Sequence, residues 1–186
     1  MKAFYALAVL ALLIPTLSFA APKFDSAYTS LENKDCQVLD SSEMNPNAEI
    51  DYFDSVCPGR DGYEVKLMGG DSRSWIGLLK KGEAYPDGAE FHAPLFRGTE
   101  GYFPNVQGTK LEWRYADGKL VAFILRMTAQ DIEDYEKSNE NLVVLRVDTS
   151  DLSKTCLIGS VNVAKVKKAN EAARAIADDL SKPCLP

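Results

Sequence analysis

The sequence is poor in the residues that ordinary catalysis draws on. Its 186 residues include one histidine, His92, and four cysteines with no Cys-x-x-Cys among them. A serine or cysteine hydrolase needs a histidine between its nucleophile and an orienting acid. With the cysteines paired, only a serine could partner His92. The nearest, in Gly70-Asp71-Ser72-Arg73-Ser74, lacks the closing glycine of a nucleophile elbow, and no Ser-x-x-Lys occurs. No acidic loop has the alternating oxygen ligands and central glycine of a calcium site, and the histidine is remote from the cysteines. The expectation is therefore no catalytic set, no metal and no cofactor. No second long apolar run follows the first, so no membrane insertion is expected once the leader is removed. Asn-x-Ser/Thr is absent as well, which tilts the source away from a glycosylating pathway and toward a bacterial periplasm.

What is present begins with the first twenty residues. Lys2, an apolar run from Ala3 to Ile14, Pro15 and the small-residue pattern Ser18-Phe19-Ala20 have the layout of a secretory signal peptide over 1–20. Cleavage after Ala20 would leave 166 residues, enough for one domain with a sizeable core. Taking Lys2 from the 21 basic residues leaves 20 against 27 acidic ones, a net charge of −7. That balance argues against nucleic acid or an anionic membrane surface as partner. All four cysteines, Cys36, Cys57, Cys156 and Cys184, follow the leader, an even set suited to an oxidising compartment. Four cysteines permit three connectivities. Pairing of local neighbours, Cys36 with Cys57 and Cys156 with Cys184, is the expected one, and the second bond would contribute about 3 kcal/mol by loop entropy.

Along the chain, residues 21–48 are polar and turn-rich and read as an irregular lead-in to a single domain over 49–186. Glu49–Cys57, Tyr63–Met68 and Ser74–Lys80 read as short strands punctuated by Pro58-Gly59 and Gly69-Gly70. Leu111, Trp113 and Tyr115 alternate with charged residues, then Asp117-Gly118 supplies the turn of a hairpin into Leu120–Met127. Closing that turn between Ala116 and Lys119 predicts Trp113 opposite Ala122 and Leu111 opposite Ile124. Thr128 with Asp131 resembles a capping box for a short helix through Lys137. Leu142–Val147 and Leu157–Val161 read as strands. A final helix from Val163 to Leu180 is expected to bury a stripe of Val166, Ala169, Ala173, Ile176 and Leu180. The fold class is α+β: an antiparallel sheet of about 5–7 strands, free to curve, with the C-terminal helix packed on it.

Several segments recur together in one order: Cys57-Pro58-Gly59 with Gly62-Tyr63, Gly70-Asp71-x-Arg73, and Glu112-Trp113-Arg114. The tail adds Cys156-Leu157-Ile158-Gly159-x-Val161, Ala169-Asn170, Ala173-Arg174-x-Ile176-Ala177-Asp178 and Cys184. In this the chain resembles a group of small exported proteobacterial proteins of unknown function. The resemblance implies an exported bacterial setting and a disulfide around the last helix, and it implies no activity.

One interval invites a functional reading. Gly82–Gly108 has three prolines, five glycines and five aromatic residues, and such a length without regular structure is common in functional loops. Rigid rings among glycines and prolines make anchors at interfaces; the alternatives are that they plug one end of the sheet core or that the interval contains a strand. The candidate binding residues are Phe91, Phe96, Arg97, Tyr102 and Phe103, for an unidentified protein or envelope component. The rival reading is a small hydrolase acting on cell-envelope material through paired carboxylates, which would have to meet in a cleft. The pairs Asp71/Arg73 and Glu112/Arg114 could each bind an anionic or peptide ligand, and read first as ion pairs or as covers over apolar neighbours.

Overall fold

The computed structural model describes residues 21–83 and 92–186. Residues 1–20, expected to be a leader, lie outside them. The strands are β1 Phe24–Ser30, β2 Gln37–Ser41, β3 Tyr52–Cys57, β4 Tyr63–Gly70, β5 Arg73–Lys80, β6 Tyr102–Val106, β7 Lys110–Ala116, β8 Lys119–Gln130, β9 Ser138–Arg146 and β10 Cys156–Asn162. Two helices, α1 His92–Gly98 and α2 Ala169–Asp178, complete the described elements. The larger sheet runs β1-β7-β8-β9-β10 with β6 also paired to β8, and the smaller runs β2-β3-β4-β5. Every pairing is antiparallel. The α+β expectation holds, with the C-terminal helix on the six-stranded sheet; the four-stranded sheet is an addition to it.

Alternation along the strands sorts side chains into two cores. Val65, Leu67, Ile76 and Leu78 of the small sheet meet Leu111, Trp113, Phe123, Leu125, Met127, Val143 and Leu145 of the large one. Trp113 and Phe123 touch edge to face at 4.8 Å, a favoured arrangement of ring quadrupoles. On the far side of the large sheet, Ala122, Ile124, Val144 and Ile158 pack under Ala169, Ala173 and Ala177 of α2. The order of layers is therefore small sheet, large sheet, helix. Leu95 of α1 plugs the first core beside β5, β9 and β10.

Four local expectations are corrected. Residues 21–48 are not an irregular lead-in, because they supply β1 and β2; β1 pairs along the whole of β7, from Phe24 opposite Ala116 to Ser30 opposite Lys110. In the hairpin, Asp117 and Gly118 take φ of 48° and 74°, and Ala116 faces Lys119. A register shift then places Trp113 opposite Phe123 and Glu112 opposite Ile124. Val121 is the extra residue of this bulge, its carbonyl accepting from the Val147 N–H at 3.0 Å. Trp113 and Ile124, both buried, thus belong to different cores. No helix follows Thr128, which stays on β8 opposite Glu140. Asp131 instead accepts the N–H groups of Glu133 and Asp134 at 2.8 and 3.1 Å and folds a turn. Finally, α2 begins at Ala169, not Val163. Asn162 Oδ1 caps a separate turn through Ala164 and Lys165, and Lys168 sits at φ 65°. That break leaves Val166 exposed.

Both local disulfides form, Cys36–Cys57 and Cys156–Cys184, with Cα separations of 4.1 and 5.6 Å. No free thiol is left. Paired cysteines throughout point to a non-cytoplasmic, secreted protein. No helix among the described residues is long and apolar enough to cross a membrane.

Tyr115 gives the fold an alkaline limit. Its hydroxyl donates to Asp61 at 2.5 Å, and burial together with that bond pushes its pKa up to about 12. The neutral phenol is thus favoured in the folded state. Between pH 10, where the unfolded chain's tyrosine ionises, and about 12, the unfolded state loses its proton first. The contribution is whole below pH 10 and lost as pH rises through this window. Denaturant titrations should show a smaller alkaline loss of stability in Tyr115→Phe than in the unaltered chain. Parallel losses would show that the hydroxyl is not involved.

Candidate functional site

Three connections meet at one end of the sandwich. The first is the two-residue turn between β4 and β5, where Asp71 and Ser72 take φ of 49° and 62°. Both central residues of such hairpins need positive φ, and aspartate accepts that region more readily than serine. The turn brings Arg73 back beside Asp71, whose carboxylate and carbonyl both accept from its guanidinium.

The second is β6. Its register slips between Tyr102 and Asn105, and Phe103 stands at φ 48° immediately before Pro104. A bulky residue in the left-handed region is rare, and one before proline is normally extended. The irregularity turns both rings outward: Tyr102 is 48% exposed and Phe103 42%. Asn105 clamps this geometry. Its Nδ2 donates to the carbonyls of Ser72 and Phe103 at 2.8 and 3.0 Å, and its Oδ1 accepts from Ser74 at 3.1 Å. The Val106 N–H donates to the same Ser74 hydroxyl at 2.7 Å.

The third is the β8–β9 turn. Asp131, whose pKa is held below the usual carboxylate range by the Glu133 N–H, Asn139 and the Asp134 N–H, fixes its course. Tyr135 stands on it, 63% exposed, with its carbonyl accepting from Gln130 at 2.7 Å.

Together these form an aromatic ledge. Tyr102 and Tyr135 stack with centroids 6.2 Å apart, and the Arg73 guanidinium lies over the Phe103 ring, 4.6 Å from its centroid. An arginine at that distance is attracted by the ring quadrupole, and its planar group extends the flat surface. A cleft of about 520 Å³ opens beside the ledge, lined among others by Phe103, Gln130, Tyr135 and Lys137. Such a surface suits contact by stacking and hydrogen bonding.

Of the candidates read from sequence, Tyr102 and Phe103 come together here. Arg97 is exposed on α1, which packs on β5, β9 and β10, and the cation at Phe103 is Arg73. Phe91 lies outside the described residues, and Phe96 enters as part of the α1 backbone. Tyr135 and Arg73 are not among the sequence candidates for this surface: the capping pattern puts Tyr135 on a helix that does not form, and Arg73 reads first as one half of an ion pair, which it also is. Glu112 and Arg114 belong elsewhere: they face α2 and pair with Arg174 and Asp178.

Comparison with protein-family models, with curated proteins and with solved structures gave no match. The chemistry of the site therefore stands on its own residues. Among the described residues no group of histidine, cysteine and carboxylate side chains could hold a metal ion.

Proposed function

We propose that this protein is a non-enzymatic binding module of the bacterial periplasm, an inhibitor where its partner is an enzyme. Its contact surface is the ledge of Tyr102, Phe103 and Tyr135 with Arg73. The observation that carries this reading is Phe103. Its left-handed backbone costs of order 1 kcal/mol or more, and the ring it presents stays 42% exposed under a cation. Burial offsets that strain only in part, and contact with a partner would offset more of it. Aromatic rings also supply contact area with few rotamers to freeze. The leader pattern and the paired cysteines support the compartment.

The competing hydrolase needs two carboxylates across a cleft, one of them free to donate a proton. Asp71 is engaged with Arg73 and Asp54 with Lys66, so neither of these two carboxylates is free to serve as that acid.

Affinity capture from an envelope extract tests the reading. The double variant Tyr102→Ala/Phe103→Ala should retain at least about tenfold less of the captured component, because truncated central aromatics cost most at interfaces. Its near-ultraviolet circular dichroism and thermal midpoint should match those of the unaltered chain. Undiminished capture by the double variant would sink the proposal. His92→Ala should behave as the unaltered chain, and loss of a hydrolytic activity in that variant would move the case to the enzyme.

A further inference from the structure

Residues 37–57 contain five carboxylates, Asp40, Glu43, Glu49, Asp51 and Asp54, and no lysine or arginine. The same stretch leaves Val38, Leu39, Met44, Ile50 and Phe53 exposed. Exposed apolar side chains that border a groove mark a contact surface. The register shows how they are arranged. Tyr52 lies opposite Gly70 and Gly70 opposite Arg73; Asp54 lies opposite Met68 and Met68 opposite Trp75. Because Val65, Leu67, Ile76 and Leu78 point into the shared core, these two rows face away from it. Gly70 carries no side chain, so the rows border a hollow. That hollow is a groove of about 660 Å³, lined mainly by Ile50, Tyr52, Phe53, Met68 and Trp75. Beside it runs β2, the edge of the sheet, with Asp40 opposite Asp54 and accepting from the Tyr52 hydroxyl at 3.1 Å.

Charge selects the occupant. The cations nearest the groove are already committed, Lys66 to Asp54 at 2.8 Å and Arg73 to Asp71. Asp40, Glu43, Glu49 and Asp51 form no salt bridge among the described residues. Asp40 stands in the row of Asp54, and Glu49 and Asp51 flank Ile50 in the chain; an apolar floor beside such uncompensated carboxylates repels acidic partners and attracts cationic ones. The groove runs alongside the edge of the sheet, where β2 has one side unpaired, so it suits an extended chain segment better than a compact ligand. The geometry points to this groove as the docking site for a polypeptide segment of a partner protein, one that interleaves aliphatic residues with lysine or arginine. The groove adjoins the ledge at Arg73, which lines its end, and includes neither Tyr102 nor Phe103.

Synthetic peptides test it on the disulfide-intact chain. One alternates leucine with lysine, the second replaces each lysine with glutamate, and the third replaces each leucine with serine. The readouts are the methyl resonances of Met68 and Ile50 and the emission of Trp75. The leucine–lysine peptide should shift all three, and both replacements should weaken binding by at least about tenfold. Glu49→Lys/Asp51→Lys should weaken the leucine–lysine peptide by about as much with unchanged circular dichroism. Tyr102→Ala should leave its affinity unaltered, which separates failure here from failure at the ledge. Equal affinity for the lysine and glutamate peptides, no methyl shift at millimolar peptide, or indifference to the double charge reversal would each overturn the proposal. So would self-association of the free chain that covers the same methyls, since the occupant would then be a second copy.

Discussion

Arg114→Ala is expected to destabilise the fold by about 3–5 kcal/mol, a fall in thermal midpoint of roughly 10 °C or more for a domain of this size. Arg114 is 9% exposed. Its guanidinium grips Asp178 of α2 with two bonds, Nε to Oδ1 at 2.6 Å and Nη2 to Oδ2 at 2.7 Å. Its Nη1 donates to Ser26 of β1 at 2.8 Å, and Ser26 donates to Glu112 at 2.5 Å. Glu112 in turn accepts from Arg174 at 2.7 Å, and Arg174 reaches the Tyr28 hydroxyl at 2.9 Å. The hydrogen bond to Asp178 raises the pKa of Arg114, and that to Glu112 raises the pKa of Arg174, so both stay charged. Removing Arg114 leaves Asp178 and Glu112 near one another with a single cation between them. Lysine should not restore the loss, because a point charge cannot make the bidentate contact. Arg114→Met/Asp178→Leu should recover most of it, since no unpaired charge remains. A single variant that unfolds at the denaturant concentration of the unaltered chain would show that the network contributes nothing.

Ala173→Asp should cost at least about 4 kcal/mol, because it puts an unpaired carboxylate where no solvent reaches. Ala173 is fully buried at the centre of the second core, facing residues such as Ala122, Ile124 and Val144. Small residues let α2 lie close to the sheet there. Across from it, a methyl group at Gly159 would come within 3.1 Å of Ile176, so neither surface has room for a larger group. Asn170→Asp, on the exposed side of the same helix, should leave the thermal midpoint within about a degree, surface substitutions being nearly neutral. Equal midpoints for Ala173→Asp and the unaltered chain would mean that α2 does not pack as described.

Features that depend on near neighbours were legible in the residues alone. The Asp117-Gly118 turn, the strands that became β3, β4 and β5, and both disulfides follow from turn chemistry, alternation and proximity along the chain. The buried face of α2 was legible at Ala169 and Ala173, where the spacing is helical; it failed at Val166, where Asn162 and Lys168 redirect the backbone first, and at Leu180, which lies past the end of the helix at Asp178 and is exposed. The 131–137 turn failed for a related reason. An aspartate three residues after a threonine fits a capping box and an Asx turn equally well, and pairing of Thr128 with Glu140 decided between them.

The candidate site was half legible. Tyr102 and Phe103 stood out as rings among prolines and glycines. Their partners Arg73 and Tyr135 lie about thirty residues away on either side, and no local pattern joins them. The sequence by itself determined an antiparallel α+β chain with two local disulfides, because turns, alternation and short loops act over a few residues. Only the tertiary structure decided that β1 joins the far edge of the large sheet. Only it placed Val121 as a bulge that sends Glu112 and Arg114 to the helix side. Only it set Arg73 over Phe103. Each of these is a choice among long-range pairings of similar local cost, settled by which arrangement buries both cores and pairs the charges buried between β7 and α2.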